Sequence, residues 1–271
     1  MITVEASFNL RRTPFERDIP TNSLYLTPGT LELLSRLEYA AQKRSFVVIT
    51  GDVGVGKSTV IRKFSETLES KLFRYVYITD SALRPRVFYW EVLTQLSDDA
   101  KPSFYRVECK RRMMAHMHRL LNEFHITPVV VIDESHLLAQ DMLEETRFLL
   151  NNCMDSQNPM CLIIVGQSEL RATLSKESYE PITQRIDFRF KLEAFDRAQS
   201  SEYIAAHMRY AGGDVGIFTD TALDEIYRYS EGRARKINKV CTLAMLYAAQ
   251  RNKTAIDGAD ISFVVDQELT W

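Results

Sequence analysis

The 271-residue chain has no long apolar run, no strong excess of either charge, few cysteines and no low-complexity stretch. No apolar run approaches the ~20 residues that a membrane-spanning helix needs. The opening MITVEASFNLRR lacks the basic-then-apolar layout of a secretory signal. The four cysteines, Cys109, Cys153, Cys161 and Cys241, include no C-x-x-C pair and keep no metal-ligand spacing with His. A zinc site or disulfide framework is therefore not expected, and buried reduced thiols are. Together these absences point to a soluble protein of the cytoplasm. A net charge of −2 and a pI of about 6.2 exclude a wholly basic nucleic-acid coat, though not a local basic patch.

Hydrophobic residues make up 45% and charged residues 26%, ordinary for a globular protein and enough for a full core. Pro14, Pro20 and Pro28 punctuate an irregular opening. Leu31, Leu34, Leu37 and Ala41 then recur at helical spacing. Five short apolar runs read as strands: 45–50, 73–79, 129–133, 161–166 and 187–192. Helices are predicted between them, to about 68 after the first, over 84–97 and 105–125, and near 140–153. This alternation implies right-handed crossovers and a mainly parallel five-stranded sheet flanked by helices. After Glu193 the pattern becomes helical, over 196–211, 219–230, 234–251 and 257–268, with glycine breaks at Gly212-Gly213 and Gly232. The expected architecture is an α/β domain over 1–194 and a small helical lid over 195–271.

GDVGVGKST, residues 51–59, fits G-x-x-x-x-G-K-[ST] and lies between a predicted strand and a predicted helix. In such a loop, backbone N–H groups from Asp52, Val53, Gly54, Val55, Gly56, Lys57, Ser58 and Thr59 can cradle phosphate oxygens. Lys57 would reach the β- and γ-phosphates of ATP, and the Ser58 hydroxyl would ligate Mg2+. The partner carboxylate should end another buried strand, and Asp133 in VVVIDESHLL does so. Glu134 is placed to polarise the attacking water. His136 gives the box a helicase-like look but reads as a helix-start or core histidine. A helicase core of that type needs two tandem domains, roughly 300 residues or more, and the remainder here is short and helical.

Several separated segments, in order, make the chain similar to the ExeA/GspA-type AAA+ ATPases. They are FNLRRTPFERDIPTNSLYLT (8–27), the glycine loop, VVVIDESHLL, LIIVGQSEL (162–170), TQRIDFRFKLEAF (183–195) and FTDTALDEIYRYSEGRARKINKVC (218–241). The resemblance covers nearly the whole chain. It implies an AAA+ fold with ATP and Mg2+ as cofactors. It also implies catalytic roles for Lys57, Asp133, Glu134, Gln167, Arg185 and Arg235. Gln167 corresponds to sensor 1, which orients water. Arg185 corresponds to the arginine finger, offered to a neighbouring subunit's ATP, with Arg171 and Arg189 as rivals. Arg235 corresponds to sensor 2 on the lid, with Arg233 as its rival and Ala234 where the family has proline. A trans finger implies a homo-oligomer, a ring or a helical filament. Phe15 and Tyr25 should lie near the adenine or in the core.

The resemblance implies one of two uses. Stand-alone relatives resemble the transposition regulators TnsC, MuB and IstB, which select target DNA and activate a transposase. Longer relatives serve envelope secretion. A chain that stops after its lid favours the first, with duplex DNA, a transposase and a target-selection protein as partners. DNA contacts are expected at Arg84 and Arg86 in SALRPR (81–86), and at Lys110 and Arg111 in the stretch 101–125, whose net charge is +4. A solvated helix face is the other reading of that stretch.

Overall fold

The structure, a computed structural model, describes residues 3–80, 83–97, 100, 103–150 and 158–269. Ser81, Ala82, Lys101, Cys153 and the expected helical turn up to 153 lie outside the described residues. The strands are β1 (Phe46–Thr50), β2 (Phe73–Ile78), β3 (Thr127–Ile132), β4 (Cys161–Gly166) and β5 (Phe188–Lys191). The helices are α1 (Val4–Ser7), α2 (Pro28–Lys43), α3 (Lys57–Thr67), α4 (Pro85–Leu96), α5 (Arg106–Glu123) and α6 (Gln140–Leu149). They continue as α7 (Ser168–Leu174), α8 (Glu180–Thr183), α9 (Arg197–Ala211), α10 (Asp220–Ser230), α11 (Ala234–Gln250) and α12 (Gly258–Val264). Every strand expected from the sequence is present, with ends moved by a residue or two. The short helices α7 and α8 were not expected.

Strand composition explains strand position. β1, β3 and β4 are near-continuous Val, Ile and Leu runs and are buried almost throughout. Such strands belong inside a parallel sheet covered on both faces. β2 and β5 alternate, as FRYVYI and FRFK, and are only half-buried. They form the edges of a sheet with order β2-β3-β4-β1-β5, paired in parallel throughout. The C-terminal strand ends therefore line up on one side, where the loops after β1, β3 and β4 emerge.

The chain divides into two compact units. One comprises Gly29–Asp52 and Lys57–Leu192. Its core gathers Phe46, Phe88, Tyr89, Met113, Met117 and the inward residues of β3 and β4. At its margin Glu145 on α6 is 3% exposed and accepts hydrogen bonds from Tyr89 on α4 and from Arg106 and Lys110 on α5. Burial alone would raise the pKa of this carboxyl. The hydrogen bonds from Lys110 and Tyr89 and the nearby cations outweigh it and hold the value below the ordinary range.

The other unit comprises Met1–Pro28, Val53–Gly56 and Glu193–Trp271. The opening residues, grouped with the α/β domain in the division at 194, pack with the helices instead. Val4, Phe8 and Phe15 bury against Tyr203, Met208, Phe218 and Ile237 because these apolar side chains find their cover there. α9 and α12 each begin with a capping box, from Asp196 with Gln199 and from Asp257 with Asp260. The helix expected to reach 268 ends at Val264 and continues as one π-helical turn, Val265–Leu269.

The described cysteines, Cys109, Cys161 and Cys241, are buried free thiols, and burial pushes the Cys161 and Cys241 thiols up, away from reactivity. His207 is 2% exposed, stacks on Phe15 and accepts the Phe15 N–H at Nδ1 (3.2 Å). Burial lowers its pKa from 6.5 to about 4. A neutral native imidazole contributes stability that is complete above pH 6.5 and is lost as pH falls towards 4. The loss should approach 1.4 kcal/mol per pH unit, about the maximum for one proton. Denaturant melts between pH 7 and 4 should show this slope, and His207→Leu should flatten it.

Candidate nucleotide site

The buried run of β1 ends at Thr50 and the chain turns at once into the glycine loop. Gly54 and Gly56 take φ of +82° and +106°, a region that side chains rarely adopt, so the loop needs glycine at both positions. A Cβ at Gly54 would also come within 2.9 Å of the Arg235 Cβ. The Gly54 carbonyl accepts the backbone N–H of Arg235 at 3.1 Å, satisfying one of the open donors in the first turn of α11. Arg235 thus stands, with its side chain exposed, beside the loop tip. Its rival Arg233 is the N-cap residue of α11 and pairs with Glu231 at 2.9 Å.

Lys57 opens α3, is 8% exposed and folds back over its own loop. Its ammonium donates to the carbonyls of Gly51 (2.8 Å) and Asp52 (2.9 Å). Asp52 also accepts the Ser168 hydroxyl at Oδ1 (2.7 Å), which ties the loop to the start of α7. Val53 is exposed and Val55 buried. Ser58 and Thr59 follow in the first turn of α3, and the Ser58 hydroxyl donates to Asp133 Oδ2 at 2.9 Å. Residues 75 positions apart are thus brought into contact beyond the ends of β1 and β3, which flank β4 in the sheet.

Asp133 follows β3 and is 4% exposed. Its Oδ2 also accepts the Tyr77 hydroxyl (2.7 Å), and its Oδ1 accepts the Glu134 N–H (2.8 Å). Burial, reinforced by Asp133, pushes the Tyr77 phenol well above its ordinary pKa, so it remains a donor. Glu134 sits at φ +51° with its side chain half-exposed at the site. His136, read from the sequence as a core or helix-start residue, lies in a short 3-10 turn and is mostly buried. Its Nδ1 is 3.4 Å from Glu134 Oε2 and makes no well-formed hydrogen bond, so it adjoins that carboxylate without holding it.

Gln167 occupies the N-cap position of α7, half-buried, with no side-chain capping bond. Arg185 lies in the turn after α8, half-buried, its N–H donating to the Ile182 carbonyl at 3.0 Å. Its rivals Arg171 and Arg189 line an open cavity of about 680 Å³ with Lys176 and Lys191, and the Arg189 guanidinium donates to the Thr183 carbonyl. Phe15 is a core residue of its unit and stacks on His207, and half-buried Tyr25 packs against that core, meeting Phe195 and Tyr203 edge-on.

The surface residues expected to meet DNA are partly committed elsewhere. Arg84 pairs with Asp141 (2.9 Å), both well exposed. Arg86 reaches the Ser103 carbonyl at 3.4 Å. Arg111 is exposed. The Lys110 ammonium is held by buried Glu145, Arg112 by Glu108 and Arg119 by Glu123. Glu108 and Glu123 are already counted in the net charge of this stretch, so of its excess positive charge Glu145 offsets a single unit, shared between Arg106 and Lys110. Sequence reasoning missed Tyr77 and Ser168. Tyr77 lies in no motif, Ser168 holds a position of LIIVGQSEL to which no role was attached, and the strand order brings both to the site.

Residues 40–174 match the model of the AAA domain family. The chain is 29% identical to General secretion pathway protein A of Aeromonas hydrophila over 97% of this chain and 49% of that protein. It thus spans about half the length of that curated relative. Among solved structures, Cdc6p from Pyrobaculum aerophilum is similar at TM-score 0.67 and 18% identity, covering 89% of this chain and 67% of that one. Drosophila ORC bound to DNA is similar at TM-score 0.64 and 14% identity, covering 99% and 65%. No helix among the described residues is long and apolar enough to cross a membrane. The fold is that of the AAA+ P-loop ATPases.

Proposed function

We propose that the chain is a Mg2+-dependent ATPase that works as a homo-oligomer on duplex DNA, selecting target DNA and recruiting a transposase. The observation that carries the ATPase reading is the 2.9 Å contact between the Ser58 hydroxyl and the Asp133 carboxylate. It joins the glycine loop to the β3 end with an oxygen-only donor set, which suits a hard cation such as Mg2+. The metal, when bound, would supply charge compensation for the phosphates. The chain's own residues do the rest. Lys57 would release its two loop carbonyls and turn its charge to the phosphates. Glu134 would take up the proton of the attacking water, and Gln167 would orient that water. Arg235, beside the loop tip, would contact the nucleotide. Arg185 would be offered to the nucleotide of a neighbouring copy, where such a finger can be worth roughly 10³–10⁵ in rate.

Exposed Arg84, Arg86 and Arg111 support the DNA half. The Arg84–Asp141 pair is a surface pair, worth at most about 1 kcal/mol, and yields easily to phosphate. Lys110 is left out of the interface because Glu145 holds it. A protein of similar fold is described bound to DNA, which fits this reading. The transposase partner rests on the motif resemblance alone. A second reading, the ATPase part of a secretion-assembly protein, is favoured by the 29% identity to General secretion pathway protein A.

Lys57→Ala should abolish ATP binding measured by calorimetry. Glu134→Gln should keep binding but slow phosphate release by roughly 10²–10⁴, the scale of general-base help; parent-like turnover would reject that role.

For the use of hydrolysis, the test is duplex binding at low salt with a non-hydrolysable ATP analogue. The parent should bind, and replacing Arg84, Arg86 and Arg111 with Ala should lower the salt slope by about 1 per residue. A parent that binds no duplex under these conditions sinks the DNA reading and leaves the secretion one.

A further inference from the structure

Asp133 is a buried carboxylate whose two oxygens must be satisfied and whose plane must be set before a metal arrives. The glycine loop contributes the Ser58 hydroxyl and the adjacent backbone contributes the Glu134 N–H. The third donor comes from outside both motifs. Tyr77 pairs with Val131 in the parallel register of β2 and β3. Alternation puts Val131 and Asp133 on one side of β3, so the Tyr77 ring lies on the carboxylate's side and its hydroxyl reaches Oδ2 at 2.7 Å.

β2 is an edge strand, so the outward N–H and C=O of Tyr77 have no neighbouring strand to meet. The Gln95 carboxamide on α4 takes that place. Its Oε1 accepts the Tyr77 N–H at 3.1 Å, and its Nε2 donates to the Tyr77 carbonyl at 3.2 Å. The Tyr75 ring stacks on that of Tyr77, 12° from parallel at 6.4 Å. Strand pairing, ring stacking and a side-chain clamp thus converge on one phenol aimed at one carboxylate oxygen.

We propose that Tyr77 is a positioning residue for the divalent metal, its hydroxyl orienting the Asp133 carboxylate while Gln95 holds Tyr77 in register. This rests on the Mg2+-dependent ATPase reading above. Partners that hydrogen-bond a metal-ligating side chain without touching the metal typically govern metal affinity by 10–100-fold. Tyr77→Phe removes the hydroxyl and keeps the ring.

The measurement is binding of a fluorescent non-hydrolysable ATP analogue as Mg2+ is titrated, alongside binding in EDTA and a thermal melt. Tyr77→Phe should raise the Mg2+ midpoint by roughly 10–100-fold and leave the metal-free affinity unchanged. Gln95→Ala, with the phenol intact, should shift the midpoint in the same direction. An unchanged midpoint in Tyr77→Phe overturns the proposal, including where the melt falls, since that marks a purely structural role. Should Tyr77→Phe fail to fold, an unchanged midpoint in Gln95→Ala overturns it instead. A parent whose analogue binding ignores Mg2+ overturns the ATPase reading and this inference with it, so the two failures are told apart.

Discussion

The site depends on one buried carboxylate. Asp133 ends a strand of almost pure Val and Ile, where a charge without partners is costly. Three donors from three parts of the chain satisfy it: Ser58 on α3, Tyr77 on β2 and the Glu134 N–H. Each bond imposes a constraint. The Ser58 bond sets the start of α3 against the end of β3, and the Tyr77 bond fixes the facing residue of the edge strand. The Glu134 bond accompanies the left-handed turn from which the proposed base projects. One residue before Ser58, Lys57 closes on the carbonyls of Gly51 and Asp52 in its own loop.

A second buried carboxylate organises the flank. Glu145 draws Tyr89, Arg106 and Lys110 inward and so links α4, α5 and α6. The cost of burying one charge is offset by two cations and a hydroxyl, an arrangement that holds only when every partner is in place. The consequence for function is subtractive. Glu145 offsets one positive charge of that stretch and takes Lys110 out of reach, and the proposed nucleic-acid interface is left to the exposed arginines. α4 carries both kinds of residue, with Arg84 as its N-cap residue and Gln95 near its end clamping Tyr77.

Much of this was legible in the sequence because its signals are local. A buried strand, a glycine loop and a helix follow one another without interruption from Phe46 to Thr67, and backbone geometry leaves few alternatives. α7 and α8 were missed because a seven-residue and a four-residue helix carry too few turns for a period to register. The packing of residues 4–15 with the helices was missed because irregular segments bury through individual side chains, Phe8 and Phe15 here, without a pattern.

The sequence by itself determined the residues on offer for the proposed chemistry: a glycine loop of phosphate-binding pattern with Lys57 and Ser58, and a strand-end pair Asp133-Glu134. These are properties of short contiguous stretches whose backbone conformation follows from residue type. Only the tertiary structure decided which charges are spent internally and which donors converge. Lys110 looks free in sequence and is held by Glu145; Tyr77 looks like an ordinary strand residue and is aimed at Asp133. The reason is physical. Burial and hydrogen-bond satisfaction depend on partners 35 and 56 residues away, and the order of the strands, not their sequence, sets who those partners are.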